Sequence, residues 1–292
     1  MLTIRNHYNI LKYSFRLEEN ILGFYLMTEA NVNLFVEYLN PDSKEKVLFL
    51  HGWPGSHRLF EYQLNELGGS KGVGCIAPDQ RGFGSSDKPA YGYDYDTLAD
   101  DVRSVIDQLG LKDITLVGHS TGGAIAIRYM ARHHGYGVSK LVLCAAAAPS
   151  LIKRPNFPYG QPEEAIIDII EGTYKDRPKM LKDFGDMFFY QYISEAFQDW
   201  FFQLGLEAAG WATAKVAMTW IKEVLFQDMR KIYVPTLIMH GRHDLVCPFP
   251  LAEAQNNEIK NSKLLVFEES GHGLFYDEKD RFNKVLLDFI RE

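Results

Sequence analysis

The sequence predicts an α/β protein in which a mostly parallel, doubly wound sheet carries a helical cap domain. Three observations lead to this prediction. Short apolar runs rich in β-branched residues recur along the chain, and several are continuously apolar, as in strands that are buried on both faces. Segments with helical spacing separate most of these runs. One long segment in the second half of the chain has helical patterns alone.

Seven predicted strands and four predicted helices support this fold class. The strand candidates are residues 32–39, 45–52, 72–79, 114–120, 140–146, 235–241 and 263–270. The helix candidates are residues 94–109, 121–135, 251–259 and 277–291. The first predicted helix begins with acidic residues and ends at Gly110, which are typical start and stop signals.

Residues 150–230 interrupt the alternation, because they contain no convincing strand and their helical patterns are divided by prolines and glycines. We expect a helical cap inserted between two parts of an α/β core, residues 27–149 and 231–292. Two roles stay open for the many aromatic side chains of the cap. They could form its own core, or line an apolar pocket at the carboxyl-terminal edge of the sheet. The candidates for substrate contact are Trp200, Trp211, Phe188 and Phe157.

Residues 1–26 are interpreted as an N-terminal extension of uncertain order, with Met27 as an alternative start. This segment has neither the apolar core of a signal peptide nor a membrane-spanning run, so we expect a cytoplasmic protein that does not bind membranes. The formal net charge is −7 and basic residues never run beyond two, which argues against nucleic acid as a partner. A homo-oligomer is compatible with the sequence.

The three cysteines, Cys75, Cys144 and Cys247, lie within or just after apolar stretches. An odd number cannot form a fully paired disulfide framework, so buried free thiols are expected. No spacing of cysteines or histidines suggests a metal site, and we expect neither a metal nor a cofactor.

A serine between two glycines joins one predicted strand directly to a predicted helix, at Gly118, Ser120 and Gly122. This Gly-x-Ser-x-Gly pattern is common, but the strand before it and the helix after it match a nucleophile elbow. Small residues allow the strand and helix to approach closely, and the amide of Thr121 would face incoming negative charge. The alternative is that Ser120 caps the helix, which explains neither glycine.

A serine nucleophile requires a base, and the base requires an acid that orients it. In an elbow of this type the order along the chain is serine, acid, histidine, each on a loop after a later strand. Asp244 follows the predicted strand 235–241, and His272 follows the predicted strand 263–270. The alternatives are a turn aspartate and a packed structural histidine.

The loop after the predicted strand 45–52 reads HGWPG. The backbone N–H of Trp53, together with that of Thr121, would form an oxyanion hole, and loss of one such donor costs about 10²–10³ in rate. The Trp53 indole can pack at the floor of the cleft at the same time.

The segment 78–89 concentrates Asp79, Arg81 and Asp87. We interpret it as a structural turn held by an arginine–carboxylate pair, because no phosphate-binding motif accompanies its glycines. His119 and His240 are also predicted to be structural.

Taken together, these motifs resemble those of the α/β-hydrolase family and, more narrowly, of cofactor-free bacterial serine esterases related to haloperoxidases and perhydrolases. The resemblance extends over residues 28–292. The matching segments are HGWPGS, APDQRGFGSSDKP, GYDYDTLADDVRSVIDQLGL, VGHSTGGAIAIRYMARH, APSLIKRPNFPYGQP, GRHDLVCPF and SGHGLFYDE. The resemblance implies a nucleophile, an acid, a base and two oxyanion amides at Ser120, Asp244, His272, Trp53 and Thr121.

The chain departs from related families at the elbow. Haloalkane dehalogenases and epoxide hydrolases read Gly-His-Asp-Trp-Gly there, so the serine at 120 excludes a covalent ester on aspartate. The haloperoxidase-like branch often has methionine after the nucleophile, where this chain has Thr121.

We therefore predict a serine esterase that cleaves small-to-medium carboxylic esters or lactones through an acyl-enzyme on Ser120. The first alternative is a perhydrolase or haloperoxidase, in which hydrogen peroxide intercepts the acyl-enzyme and the peracid then oxidises halide. A C–C bond hydrolase with the same triad and a non-catalytic ligand sensor are the remaining alternatives.

Overall fold

The computed structural model describes residues 21–28 and 31–292, and an eight-stranded sheet lies at its centre. The strands are β1 (Ile21–Met27), β2 (Asn33–Leu39), β3 (Lys46–Leu50), β4 (Gly74–Pro78), β5 (Ile114–His119), β6 (Val138–Cys144), β7 (Thr236–Gly241) and β8 (Ser262–Phe267). Their order in the sheet is β1-β2-β4-β3-β5-β6-β7-β8. β2 pairs antiparallel with β1 and β4, and every pair from β4 to β8 is parallel.

The four predicted helices are present with small shifts at their ends, whereas the helical turns at residues 57–70 were not predicted. A 3₁₀ turn (His57–Phe60), α1 (Glu61–Gln63) and a π-helical turn (Leu64–Ser70) run consecutively after β3. The remaining helices are α2 (Tyr95–Gln108), α3 (Thr121–Arg132), α4 (Glu163–Lys175), α5 (Arg177–Gly185), α6 (Glu195–Glu207), α7 (Gly210–Lys222), α8 (Phe226–Met229), α9 (Pro250–Glu258), α10 (Leu274–Asp277) and α11 (Lys279–Arg291). In the described part of the chain, no helix combines the length and apolar character that crossing a bilayer requires.

The central strands are buried along their whole length, which confirms the prediction of a mostly parallel sheet covered on both faces. Every residue of β4, β5 and β7 is buried, so these strands have no solvated face. Both capping signals of α2 are also present: the Asp94 side chain accepts a hydrogen bond from the Thr97 amide, and Gly110 has a φ of 60° after the last turn.

One observed strand, β1, was not predicted, because the sequence prediction contains no strand before residue 32. β1 pairs with β2 over its full length and includes residues 21–26 of the expected extension, whereas residues 1–20 lie outside the described residues. A short edge strand is stabilised by its cross-strand partner, and the apolar pattern of a single run does not reveal that partner. Leu26 is buried between the exposed Tyr25 and Met27, as a strand with one packed face requires.

An inserted helical region comprising α4 to α8 lies between β6 and β7 along the chain. Within it, α4 packs against α5 and α7, and α5 packs against α6. The proposed cap boundaries, residues 150 and 230, stay a prediction. The loops after β3, β5, β7 and β8 all leave the same edge of the parallel sheet, and that edge carries the candidate site.

Candidate active site

Ser120 occupies a sharp turn between β5 and α3. Its φ of 54° and ψ of −120° are rare for a residue other than glycine and mark a strained backbone. The flanking glycines permit this turn through close approach. A Cβ atom at Gly118 would lie 2.5 Å from the carbonyl oxygen of Gly122, and one at Gly122 would collide with the carbonyl oxygen of Leu50. The local geometry is therefore that of a nucleophile elbow.

Asp244 and His272 form a buried pair at the same edge of the sheet. Asp244 follows β7, His272 follows β8, and the distance from His272 Nδ1 to Asp244 Oδ2 is 2.8 Å. Since a carboxylate can only accept, His272 Nδ1 carries the proton and Nε2 has the lone pair. His272 is thus in the tautomer that a general base requires.

The Asp244 carboxylate accepts further hydrogen bonds. Its Oδ1 atom accepts hydrogen bonds from the amides of Val246 (2.8 Å) and Cys247 (2.7 Å). Burial by itself would raise the pKa of this carboxyl. Interactions with His272 and His240 outweigh burial and hold the pKa of Asp244 below its usual value. Asp244 is therefore ionised at neutral pH and can stabilise an imidazolium at His272.

His240 is a second histidine on this carboxylate, and the sequence predicts only a structural role for it. Its Nε2 atom lies 2.7 Å from the carbonyl oxygen of Cys247 and 3.3 Å from Asp244 Oδ2. Both neighbours are acceptors, so Nε2 carries the proton and donates toward both. The i, i+4 spacing of His240 and Asp244 across the end of β7 gives no recognisable sequence signal for this contact.

His119 connects the elbow to the His272 loop through a hydrogen bond. Its Nε2 atom donates to the carbonyl oxygen of His272 at 3.0 Å, and the two ring centroids are 4.6 Å apart. Burial and the neighbouring His272 lower the pKa of His119 well below its usual value. A neutral His119 therefore holds the His272 loop directly beside Ser120.

The predicted contact between Ser120 and His272 is not closed by a hydrogen bond. The Nε2 atom of His272 is buried, and no described residue is its hydrogen-bond partner. The thiol of Cys247 lies near Ser120. Burial and the charge of Asp244 raise the pKa of this thiol well above its usual value, although the hydrogen bond with Ser120 opposes the rise. The sequence prediction for Cys247 included its burial but not this contact.

The two predicted oxyanion amides flank Ser120. The loop after β3 packs on the elbow so closely that a Cβ atom at Gly52 would lie 3.0 Å from the Cβ of Ser120. Thr121 is the first residue of α3, where backbone N–H groups have no partner within the helix. Among the described residues, none accepts a hydrogen bond from the backbone N–H of Trp53 or Thr121. Both amides are thus available, and their catalytic role stays a prediction.

Ser120 opens into a cavity of about 150 Å³ with mostly apolar walls. A dry cavity of about this volume holds a benzene-sized group. The lining residues are Trp53, Ser120, Leu151, Gln161, Ala165, Ile166, Ile169, Phe184, Met187, Trp220, Leu245 and Val246. Ser120 and Gln161 are the polar side chains in this set, so the cavity suits an uncharged, apolar group.

None of the four predicted substrate contacts lines this cavity. Phe188 is buried behind it, with its ring centroid 4.9 Å from that of His272. Phe157 is buried against Phe226 at a centroid distance of 5.3 Å. Both side chains contribute to packing, which is the other role that the sequence left open.

The two predicted tryptophans lie farther out. Trp200 packs against Phe197 at a centroid distance of 5.0 Å. Trp211 is 46% exposed, and its indole N–H donates to the carbonyl oxygen of Pro89. Aromatic content alone does not indicate which face of a helix meets the sheet, and this explains the difference.

The residues that do line the cavity are harder to recognise from the sequence. Ile166 and Ile169 are three positions apart on α4 and therefore share one face of that helix. Leu245 and Val246 directly follow the candidate acid. Trp220 donates its indole N–H to the Thr121 hydroxyl at 3.1 Å, which places its ring beside the elbow.

The segment 78–89 is structural, in agreement with its interpretation. The carboxylate of Asp79 accepts hydrogen bonds from the amide and the Nδ1 atom of His57, at 2.7 and 2.8 Å. Arg81 forms two 2.6 Å bonds to Asp101 of α2, so the partner of the predicted arginine–carboxylate pair comes from outside the segment. Asp87 accepts hydrogen bonds from Asn33 of β2.

Comparison with known proteins agrees with this fold. The model of the alpha/beta hydrolase family matches residues 47–285. AB hydrolase superfamily protein YisY of Bacillus subtilis is 47% identical over 268 residues, which cover 92% of this chain and 99% of that protein. Bifunctional esterase/perhydrolase DCH of Acinetobacter calcoaceticus is 32% identical over 274 residues, 91% of this chain and 99% of that protein. The solved structure of an esterase from Exiguobacterium antarcticum superposes with a TM-score of 0.90 at 43% identity, covering 93% of this chain and 100% of that chain.

Proposed function

Because the chain belongs to the α/β-hydrolase family, close to non-heme haloperoxidases, perhydrolases and bacterial esterases, we propose that it is a serine esterase acting through an acyl-enzyme on Ser120. One observation carries the proposal. His272 is held by Asp244 in the tautomer of a base, its Nε2 atom has no partner among the described residues, and its loop packs against the elbow.

The proposed reaction has two steps. The Ser120 hydroxyl gives its proton to Nε2 of His272 and attacks the ester carbonyl carbon. The amides of Trp53 and Thr121 stabilise the oxyanion of the tetrahedral intermediate. The imidazolium of His272 then protonates the leaving alcohol as the bond to it breaks. Water, deprotonated by the same Nε2, attacks the acyl-enzyme and releases the carboxylic acid.

The proposed substrates are small-to-medium carboxylic esters or lactones with an apolar acyl or aryl part. The apolar walls and the volume of about 150 Å³ support this class, because burial of an apolar group is favourable and a charged group would lose its hydration. Among the described residues that line the cavity there is no lysine or arginine that would pair with a charged substrate.

The test is hydrolysis of a chain-length panel of p-nitrophenyl esters by the wild type and by Ser120→Ala. We expect kcat to fall by about 10⁴-fold or more, since loss of a nucleophile removes the covalent route. Ser104→Ala is the matched control, because the only hydrogen-bond partner of its hydroxyl among the described residues is the carbonyl of Asp100 on α2. Equal rates for the wild type and a folded Ser120→Ala variant would refute the proposal.

Perhydrolysis is the second candidate, and the relative named as a bifunctional esterase/perhydrolase favours it. Hydrogen peroxide would replace water in the second step, so that the acyl group leaves as a peracid and Ser120 regains its proton from His272. Peracid formation from acetate and peroxide, compared with hydrolysis of p-nitrophenyl acetate, measures how the acyl-enzyme partitions. Absence of peracid alongside rapid ester hydrolysis would exclude this candidate.

A further inference from the structure

A second cavity adjoins the one that contains Ser120. Its volume is about 380 Å³, more than twice that of the inner cavity. Its lining residues are Asp168, Ile169, Gly172, Lys175, Asp176, Lys179, Met180, Asp183, Phe184 and Met187. Ile169, Phe184 and Met187 line both cavities, so these three side chains form a partition between them.

The partition lies where two helices of the inserted region meet. Ile169 belongs to α4, Phe184 belongs to the last turn of α5, and Met187 follows α5. Phe184 is buried, and its ring makes an edge contact with the Trp53 indole at a centroid distance of 4.9 Å. Trp53 also lines the inner cavity, so Phe184 connects the partition to the proposed oxyanion loop.

The two cavities differ in chemistry. The described residues that line the inner cavity are all uncharged, whereas the outer cavity has charged residues from α4 and α5. Of these, Lys179 and Asp183 pair with each other and are mostly exposed, so they lie in water at the rim. The outer cavity thus has an apolar wall at the partition and a solvated opening. An alkyl chain that passed the partition would meet apolar side chains first and water last.

We propose that the partition, and Phe184 above all, sets the acyl-chain length that this enzyme accepts. The inference rests on the proposed esterase function. With Phe184 in place, a short acyl group fills the cavity beside Ser120 and a longer chain meets the ring. Removal of the ring joins the two cavities, so that a longer chain extends from Ser120 into the outer cavity. The substrate class of the wild type is therefore short-chain esters.

The experiment compares kcat/KM of the wild type and Phe184→Ala on p-nitrophenyl acetate, butyrate, hexanoate and octanoate. We expect the wild type to prefer the two shorter esters. The ratio of octanoate to acetate should rise by about tenfold to a hundredfold in Phe184→Ala, because each methylene that becomes buried favours binding by a few-fold. Ile169→Ala, which thins the same partition from α4, should raise this ratio in the same direction and by less.

Phe157→Ala is the matched control, since Phe157 is a buried aromatic residue of the same segment and lines neither cavity. Its octanoate-to-acetate ratio should equal that of the wild type. An unchanged octanoate-to-acetate ratio in Phe184→Ala, with acetate hydrolysis retained, would overturn the proposal. A wild type that prefers octanoate would also overturn it. If Phe184→Ala does not fold, an unchanged ratio in Ile169→Ala overturns it. Failure of the esterase proposal is distinct, because the wild type would then match Ser120→Ala on every ester.

Discussion

Replacement of His240 by leucine tests how the candidate acid is held. The imidazole is fully buried, and its Nε2–H donates toward Asp244 Oδ2 at 3.3 Å and toward the Cys247 carbonyl at 2.7 Å. Leucine is apolar and of similar size, so His240→Leu removes this donor with little change in packing. The Asp244 carboxylate would keep its amide donors and His272 and would lose one charge-assisted contact.

The size of the effect follows from this geometry. A hydrogen bond to a charged group contributes about 1.5–3 kcal/mol, and the bond to Asp244 belongs at the low end because it is long and shared. We therefore expect kcat/KM to fall by about tenfold, which corresponds to about 1.4 kcal/mol. The fall should be in kcat, with KM nearly unchanged, because His240 lies behind Asp244 and does not line the cavity.

A double-mutant cycle with Asp244→Asn separates this role from a general loss of structure. If His240 acts through the carboxylate, His240→Leu should have little further effect on kcat once that charge is removed. His240→Gln keeps an N–H donor near the same position and should recover most of the activity. Thr236→Val is the control, because it removes a buried hydrogen bond of the same strand four residues away.

The reasoning would be refuted by equal falls in kcat caused by His240→Leu in the wild-type and Asp244→Asn backgrounds. A fall in kcat of the same size in Thr236→Val, with equal loss of stability, would also refute it. Unfolding in urea provides the stability measurement for all of these variants.

Two further predictions concern side chains that pair through the segment after β4, Arg81 within it and His57, which contacts its Asp79. Arg81→Met should lower the free energy of unfolding by about 3–5 kcal/mol, because it leaves the Asp101 carboxylate buried without its partner; the two side chains are 1% and 7% exposed. Unfolding in urea measures this loss. The double variant Arg81→Met with Asp101→Leu should recover most of it. Burial alone would lower the pKa of His57, but hydrogen bonds and charges from Asp79 and Glu37 outweigh burial and raise this pKa to about 9. Because folding raises the pKa of His57, its protonation stabilises the folded state fully at pH values below its pKa in the unfolded chain, near 6.5. This stabilisation, about 3 kcal/mol in total, is lost as the pH rises toward 9. The wild type should therefore lose stability across this window relative to His57→Gln, and parallel stability–pH curves for the two proteins would contradict the assignment.

Much of the fold was predictable because its main signals are local. The seven predicted strands are all present with small shifts at their ends, since continuously apolar runs identify strands that are buried on both faces. The elbow was recognisable for the same reason. Gly118 and Gly122 are required by contacts within the strand–turn–helix unit itself and with the adjacent strand β3. β1 was not predicted, because its stability depends on its pairing with β2.

The candidate site was predictable only in part. Chain order predicts that Asp244 and His272 meet at the edge of the sheet, and the structure places them within hydrogen-bond distance. Their catalytic roles stay predictions. The proximity of Cys247 to Ser120 brings together segments that are distant along the chain, and no sequence motif encodes it.

The sequence by itself determined the layered α/β sheet, the strained serine turn and the order of the candidate acid and base, because each depends on local periodicity or on the direction of parallel strands. Only the tertiary structure decided which side chains surround Ser120. Helices of the inserted region can present any face to the sheet, so packing selected Ile169, Phe184 and Trp220 for the cavity walls and left Trp211 at the surface. The contact of His240 with Asp244 likewise depends on how the loop after β7 folds back on its strand.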